Sequence, residues 1–378
     1  MGLVQSFLSL LPNFFPSSSA QQLPSSTTLQ SNHGVALEQN PSHRKTQEDY
    51  FVADLNFGSR ITAASPLPWP PPPNPPRAEL CSFLAVYDGH GGSEIAEFCA
   101  ESLHGCLAEQ LDLALRVGGG GQAAAGGTEE PEPEGGGGNV LEAMANAYSE
   151  VDNMVADRKL GRDCGSTACT ALLRLESLPK FSLNTNTNSN STAATNVDSV
   201  EIDMNFDIDV DVDVDVDTDI PTSRSAPPKK YQRVLYCANV GDSRIVLCRN
   251  SSPVRLTLDH RCADPSEVKR IKDSGGFVFN RRVGGVLAVT RAIGHINDKH
   301  LILGTPYTSR TVVDDATDQA LIMASDGLFD VVDDEKVCEL VVDGLRDGLG
   351  AQEIADVLCK YSLNRHCRDN ICVQVLIL

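Results

Sequence analysis

The run from Asp198 to Asp219 carries ten acidic residues and no basic one, which sets the first limit on how this chain can fold. From Asp207 onward aspartate alternates with other residues, mostly valine, as in a strand with one polar face. Like charges at every second position repel along that face, so the run cannot enter a sheet without counter-charges. It also lacks the glycine turn and ligand spacing of a calcium loop. It therefore reads as a solvated insertion within a longer segment, Leu178 to Lys230, that passes from Asn/Thr-rich to acidic to Pro-Lys-Lys.

Other stretches are equally unable to build a core. Pro66 to Pro76 is proline-rich, and Gly118 to Gly138 is rich in glycine and glutamate. Residues 1–42, rich in Ser, Gln, Asn and Pro, read as a disordered leader. The expected organisation is a leader over 1–42 and one domain over 43–378, with insertions at about 57–80, 116–138 and 176–232. What remains is a patterned core of roughly 250 residues, suited to a single domain.

The formal net charge is −20, and half of it lies in the Asp198–Asp219 run. That balance excludes nucleic acid and anionic membrane surfaces as general partners. None of the twelve cysteines forms a CxxC pair, and most lie in apolar runs such as Leu235-Tyr236-Cys237-Ala238. They read as small buried hydrophobes in a reducing compartment, which places the protein inside the cell, in cytoplasm or nucleus. No run is long enough to span a bilayer. No Lys or Arg precedes Arg44, so no secretory or transit peptide is expected. Met1-Gly2-Leu3-Val4-Gln5-Ser6 fits the pattern for myristoylation of Gly2. Membrane contact is expected only through that acyl chain, which alone binds marginally.

In the core, Ser93 to Leu115 and Asn139 to Arg158 space apolar residues as amphipathic helices do. Asp264-Pro265 caps a helix that stops at Gly275-Gly276, and further helices fit Asp334–Leu345 and Ala351–Leu363. Strand-like runs occur at 83–87, 168–175, 233–240, 244–249, 254–258, 286–290, 320–325 and 371–378. Strands adjoin strands while helices come in pairs, which predicts an α+β architecture of antiparallel sheets with helices outside.

Phe83-Leu84-Ala85-Val86-Tyr87 breaks into Asp88-Gly89-His90-Gly91-Gly92, an acid held at a strand end beside glycines that admit a ligand to the backbone. Ile322-Met323-Ala324-Ser325-Asp326-Gly327 repeats the device, and Arg368-Asp369-Asn370 precedes the last strand. Glu48-Asp49 leads into Tyr50-Phe51-Val52. Any one of these acids alone reads as a turn or a helix cap. Together, carboxylates converging from strand ends can bind hard divalent cations such as Mg²⁺ and Mn²⁺.

With Gly165-Ser166-Thr167-Ala168, Gly241-Asp242-Ser243-Arg244 and Leu287-Ala288-Val289-Thr290-Arg291-Ala292-Ile293-Gly294, these motifs stand in one order. The chain from about Arg44 to Leu378 thereby resembles the metal-dependent protein phosphatases of type 2C. The resemblance implies a sandwich of two antiparallel β-sheets flanked by α-helices (α-β-β-α), with a metal site at one end. It implies hydrolysis of phosphoserine and phosphothreonine in phosphorylated proteins, in one step, by water activated by two Mg²⁺ or Mn²⁺ ions. Asp88 would bridge the metals, the Gly89 carbonyl, Asp326 and Asp369 would complete the protein ligands, and Glu48 and Asp49 would bind or orient water. Arg44 would hold the phosphate, and His90 would protonate the leaving oxygen. A weaker third metal would use Asp330 and Asp163, although Asp163 stands two residues before Gly165 where three are expected. A monomer is expected.

The departures from the pattern are His295 in place of aspartate after Gly294, Gly284-Gly285 in place of Asn-Gly, and Gln47 where methionine is common. Activity is expected to survive them. The rival reading is a pseudophosphatase that binds phosphorylated partners without turning them over, and retention of all the acids argues against it.

Overall fold

The structure is a computed structural model that describes residues 32–58, 81–118, 138–177 and 231–378. The described residues up to Glu176, with Tyr231–Leu378, form one compact unit. Its strands are β1 (His33–Glu38), β2 (Asp49–Asp54), β3 (Cys81–His90), β4 (Gly165–Ser166), β5 (Ala168–Ser177), β6 (Tyr231–Val240) and β7 (Arg244–Arg249). They continue with β8 (Ser252–Arg255), β9 (Val278–Phe279), β10 (Arg282–Val283), β11 (Ile293–Gly294), β12 (Tyr307–Val313), β13 (Asp318–Ala324) and β14 (Ile371–Ile377). The helices are α1 (Glu94–Gly118), α2 (Gly138–Asp157), α3 (Pro265–Asp273), α4 (Asp326–Phe329), α5 (Asp334–Arg346) and α6 (Ala351–Asn364).

One sheet runs β1-β14-β13-β7-β8 and the other β11-β4-β3-β5-β6-β12, with β2 paired to β3. Pairing is antiparallel in both sheets. Strand alternation then sorts the side chains into layers. Leu84 and Val86 of β3 meet Leu321 and Met323 of β13 between the sheets. Phe83, Ala85 and Tyr87 turn to the other face, against Cys99, Leu103 and Leu107 of α1 and Met144 and Tyr148 of α2. On the opposite side Ile322, Val373 and Val375 pack on Val337 and Val341 of α5 and Leu358 of α6. Both faces of the central strands are buried, which is why they read as unbroken apolar runs. The α-β-β-α order expected from the resemblance is present.

The Asp264 carboxylate caps α3 by accepting from the Ser266 N–H at 2.8 Å, with Pro265 in the first turn. Buried polar groups are tied down too: the Tyr148 hydroxyl reaches the Ala238 carbonyl at 2.9 Å and fixes α2 to β6.

Three expectations are corrected. The leader does not extend to residue 42, because His33–Glu38 forms β1 and pairs along β14. Gly34 lets it approach: a Cβ there would lie 2.4 Å from the Ala351 carbonyl oxygen at the start of α6. Residues 286–290 are not a strand; they make isolated bridges, Val283 to Leu287 and Arg261 to Val289. The insertion edges also retreat. Phe57 is buried against Phe83 with ring centroids 5.3 Å apart, α1 continues to Gly118 and β5 to Ser177. Gly2 and most of each insertion lie outside the described residues. Among the described residues, no helix is long and apolar enough to cross a membrane.

Candidate metal centre

The β2–β3 register sets Asp49 directly opposite Asp88. Thr167 fixes Asp88 from both sides of its peptide: its N–H donates to the Asp88 carbonyl at 2.9 Å, and its hydroxyl accepts the Asp88 N–H at 3.1 Å. Asp326 opens α4 just past the end of β13. Its neighbour Ser325 donates its hydroxyl to Asp49 Oδ2 at 2.7 Å and accepts the Cys372 N–H at 3.0 Å. The two sheets are thus joined at the point where their acids meet.

Asp369 and the 39–48 loop are held by two buried asparagines. Asn40 Nδ2 donates to the carbonyls of Cys367 (2.8 Å) and Asp369 (3.1 Å). Asn370 Nδ2 donates to Gln39 O (2.7 Å) and Thr46 O (3.1 Å), and its Oδ1 accepts the Glu48 N–H at 3.0 Å. That clasp brings Arg44 onto Asp369, where Nη2 forms an ion pair with Oδ2. The Gly89 N–H donates to the Glu48 carbonyl at 3.0 Å, so Gly89 and the acidic pair share one corner.

Sequence reasoning left two members of this group without a role. Asp242 is 3% exposed at the β6–β7 turn, and Arg261 Nε donates to it at 2.6 Å. The same guanidinium pairs with Asp330 Oδ1 at 2.7 Å and Asp326 Oδ2 at 3.4 Å. Asp242 was visible in the Gly241-Asp242-Ser243-Arg244 motif, but Arg261 carried no sequence signal beyond its charge. Asp163 accepts from Asn297 Nδ2 at 3.0 Å and lines, with His295 and Asp298, a cavity of about 320 Å³ beneath Val283–Leu287.

The carboxylates outweigh the positive charge among them. Burial, with repulsion from Asp49, Asp326, Asp242 and Asp369, pushes Asp88 well above the carboxylate range. Burial, then Asp242, Asp330 and Asp369, does the same to Asp326 despite Arg261. Burial raises Asp49 to about 7, opposed by the Ser325 hydroxyl. Burial works against the Arg44 charge, but Asp369, Asp88 and Glu48 outweigh it and hold the guanidinium above its ordinary value. Asp49 Oδ1 is buried with no hydrogen-bond partner. Among the described residues, no three His, Cys, Asp or Glu side chains form a finished cage for a cation; Arg44 and Arg261 stand among the acids. The donor chemistry nonetheless fits one: an orphaned carboxylate oxygen, neighbouring acids held above their normal range, and oxygen-only ligands suit a hard divalent ion.

His90 ends β3 beside this group. Its Nε2 lies 2.7 Å from Nε2 of His295, the residue that departs from the expected aspartate. Burial first, then His295, lowers His90 to about 3. Cys367 touches the acidic group through the Asp369 backbone, whose N–H donates to its Sγ at 3.3 Å. All twelve cysteines are free thiols, and burial pushes those inside the sandwich, Cys169 and Cys372, well above the ordinary thiol value.

A family model described as Protein phosphatase 2C matches residues 34–180 and 222–371, and the gap between the two stretches lies inside the acidic insertion. The chain is 31% identical over 345 residues to Protein phosphatase 2C homolog 1 of Saccharomyces cerevisiae, spanning 91% of this chain and 92% of the yeast protein. Protein phosphatase 2C homolog 1 of Schizosaccharomyces pombe is 28% identical, over 90% of this chain and 72% of its own length. Among solved structures, a serine-threonine phosphatase 2C from Toxoplasma gondii shares the fold with a TM-score of 0.57 at 18% identity, covering 91% of this chain and 94% of that one. Motif order, sandwich and carboxylate corner therefore agree with the comparisons: the chain belongs to the protein phosphatase 2C family.

Proposed function

We propose that this chain hydrolyses phosphoserine and phosphothreonine in proteins, with Mg²⁺ or Mn²⁺ held by Asp88, Asp326, Asp369 and the Gly89 carbonyl, and with Glu48 and Asp49 orienting water. The observation that carries the reading is the meeting of Asp49, Asp88 and Asp326, all held above the normal carboxylate range, in one corner with Asp369. Such an excess of acids calls for added positive charge. Divalent ions bound there supply Lewis-acid charge to the phosphoryl oxygens and acidify water for attack on phosphorus.

The chain's own groups account for binding and proton placement. The Arg44 guanidinium, half-exposed at the mouth of the corner, presents a planar fork to two phosphate oxygens. Its charge needs no tuning by pH. Arg261, bound to Asp242, Asp326 and Asp330, offsets their mutual repulsion and orients them. Asp330, half-exposed, and Asp163 are the candidates for a weaker third ion. His90, at the end of β3, delivers a proton to the leaving seryl or threonyl oxygen, the negative charge of a bound phosphate countering the burial that otherwise keeps the ring neutral. No thiol is needed as nucleophile, and the buried, raised thiols fit none. Free cysteines throughout support a reducing, intracellular location.

The test is Mn²⁺-dependent release of phosphate from a phosphothreonine peptide. Asp88→Ala and Asp326→Ala should each lower kcat by about 100-fold or more, the scale on which lost charge stabilisation acts. Wild-type activity no higher than either variant's, or activity unaffected by a chelator, would end the reading.

A further inference from the structure

The contact between His90 and His295 joins residues 205 positions apart and has no part in the cation site. The ring planes lie within 16° of each other, with centroids 4.8 Å apart. Together with an Nε2···Nε2 distance of 2.7 Å, this sets the rings edge to edge in nearly one plane, since face-to-face rings would hold their centroids little farther apart than their atoms. Edge to edge is the geometry of a hydrogen bond. Two N–H groups or two lone pairs would repel at that distance. One hydrogen must therefore lie on the axis, and each ring dictates the tautomer of the other.

His295 is built to hold this position. It is 1% exposed and sits in the left-handed region at φ 50°, a strained conformation for a residue other than glycine. Its N–H donates to the Cys164 carbonyl at 3.0 Å, and its own carbonyl accepts from Asp298 N–H at 2.9 Å. The preceding Gly294 N–H donates to Asp152 Oδ1 at 3.0 Å, and Lys299 pairs with the same oxygen at 2.8 Å. Gly165 backs the ring: a Cβ there would lie 2.6 Å from His295 Cδ2. A bend braced on two sides, with strain at its centre, delivers one imidazole to the edge of another.

We infer that His295 is a positioning residue for His90: its Nε2–H donates to His90 Nε2, which fixes the ring plane and leaves the proton of His90 on Nδ1, the nitrogen on the Asp88 side. The inference rests on the reading of His90 as the donor to the leaving oxygen. Its signature is selectivity for the leaving group. A phosphothreonine peptide expels an alkoxide that needs a proton, whereas p-nitrophenyl phosphate expels a stable phenolate that does not. Both substrates are tested on one preparation, so the ratio of their kcat values is independent of how much protein is folded.

His295→Leu should lower kcat on the peptide by about 10- to 100-fold, less than the roughly 100- to 10,000-fold a general acid supplies because His295 acts through His90, and change p-nitrophenyl phosphate by less than about threefold. His295→Gln, which places an amide near Nε2 on a side chain equally strained at this φ, should restore most of the peptide rate. His90→Ala should show the same selectivity, and the double variant His90→Ala/His295→Leu should be no slower than His90→Ala alone. Equal loss on both substrates in His295→Leu, no rescue by Gln, or additive losses in the double variant would each overturn the positioning role. If His90→Ala itself leaves the ratio unchanged, the donor reading of His90 fails, and the inference falls with it.

Discussion

Replacing Glu267 by glutamine should cost about 3 kcal/mol at neutral pH, and the cost should disappear in acid. Glu267 lies on α3 with 3% exposure. Its carboxylate accepts from Arg291 Nη2 at 2.6 Å and Arg270 Nη2 at 2.9 Å. Arg270 also donates to the carbonyls of Leu301 and Thr290, each at 2.9 Å, and Arg291 to that of Thr305 at 3.0 Å. One carboxylate thus gathers 290–305, the segment containing His295, onto α3. Burial alone would raise its pKa, but the two guanidinium groups outweigh burial and bring it from 4.5 to about 2. A tenfold change in proton affinity corresponds to roughly 1.4 kcal/mol, which sets the magnitude at about 3 kcal/mol. The folded protein binds this proton less tightly than the unfolded chain. The stabilisation is therefore complete above the unfolded value of 4.5 and is lost as pH falls through about 2. Urea unfolding followed by circular dichroism, at a series of pH values with chelator present, gives the difference between wild type and Glu267→Gln directly. That difference should be level above about pH 5 and approach zero near about pH 2. A difference below about 1 kcal/mol at neutral pH, or one that does not change with pH, would refute the reasoning.

Three further outcomes can be checked alongside. Asn370→Ala removes three hydrogen bonds between β14 and the 39–48 loop; at about 1 kcal/mol each, thermal unfolding should show a loss of about 3 kcal/mol, with a higher Mn²⁺ concentration needed for half-maximal rate. Arg44→Ala should raise KM for the peptide at least about tenfold, and Arg44→Lys should recover little of it, because an ammonium cannot offer two parallel donors. Gly165→Ala places a Cβ against the His295 ring and should lower the peptide rate more than the p-nitrophenyl phosphate rate; equal effects on both would speak against the packing described.

The sandwich was legible where burial on both faces leaves an unbroken apolar run. β3, β6, β13 and β14 are of that kind, and the Asp264-Pro265 cap marked the start of α3. β1 was hidden because His33–Glu38 is short, alternating and embedded in a polar leader. β12, Tyr307–Val313, begins with polar residues and has one buried position. The run 286–290 misled in the opposite direction: it is apolar, yet Val286 is 70% exposed. At the site, the acids were legible as aspartates next to small residues at strand ends. Their partners were not. Arg261 reaches Asp326 across 65 positions and His295 meets His90 across 205, and no local pattern encodes contacts between residues so far apart in the chain.

Calorimetric titration of metal-free protein with Mn²⁺ bears most directly on the carboxylate corner, because it reads the cation without the reaction. Saturable binding is expected in the wild type, with a rise in the thermal unfolding midpoint as the ion favours the folded state. In Asp88→Ala both the heat and the stabilisation should be lost. Binding of equal strength in Asp88→Ala, or none in the wild type at millimolar Mn²⁺, would contradict the assignment of Asp88 and its neighbours as the metal centre.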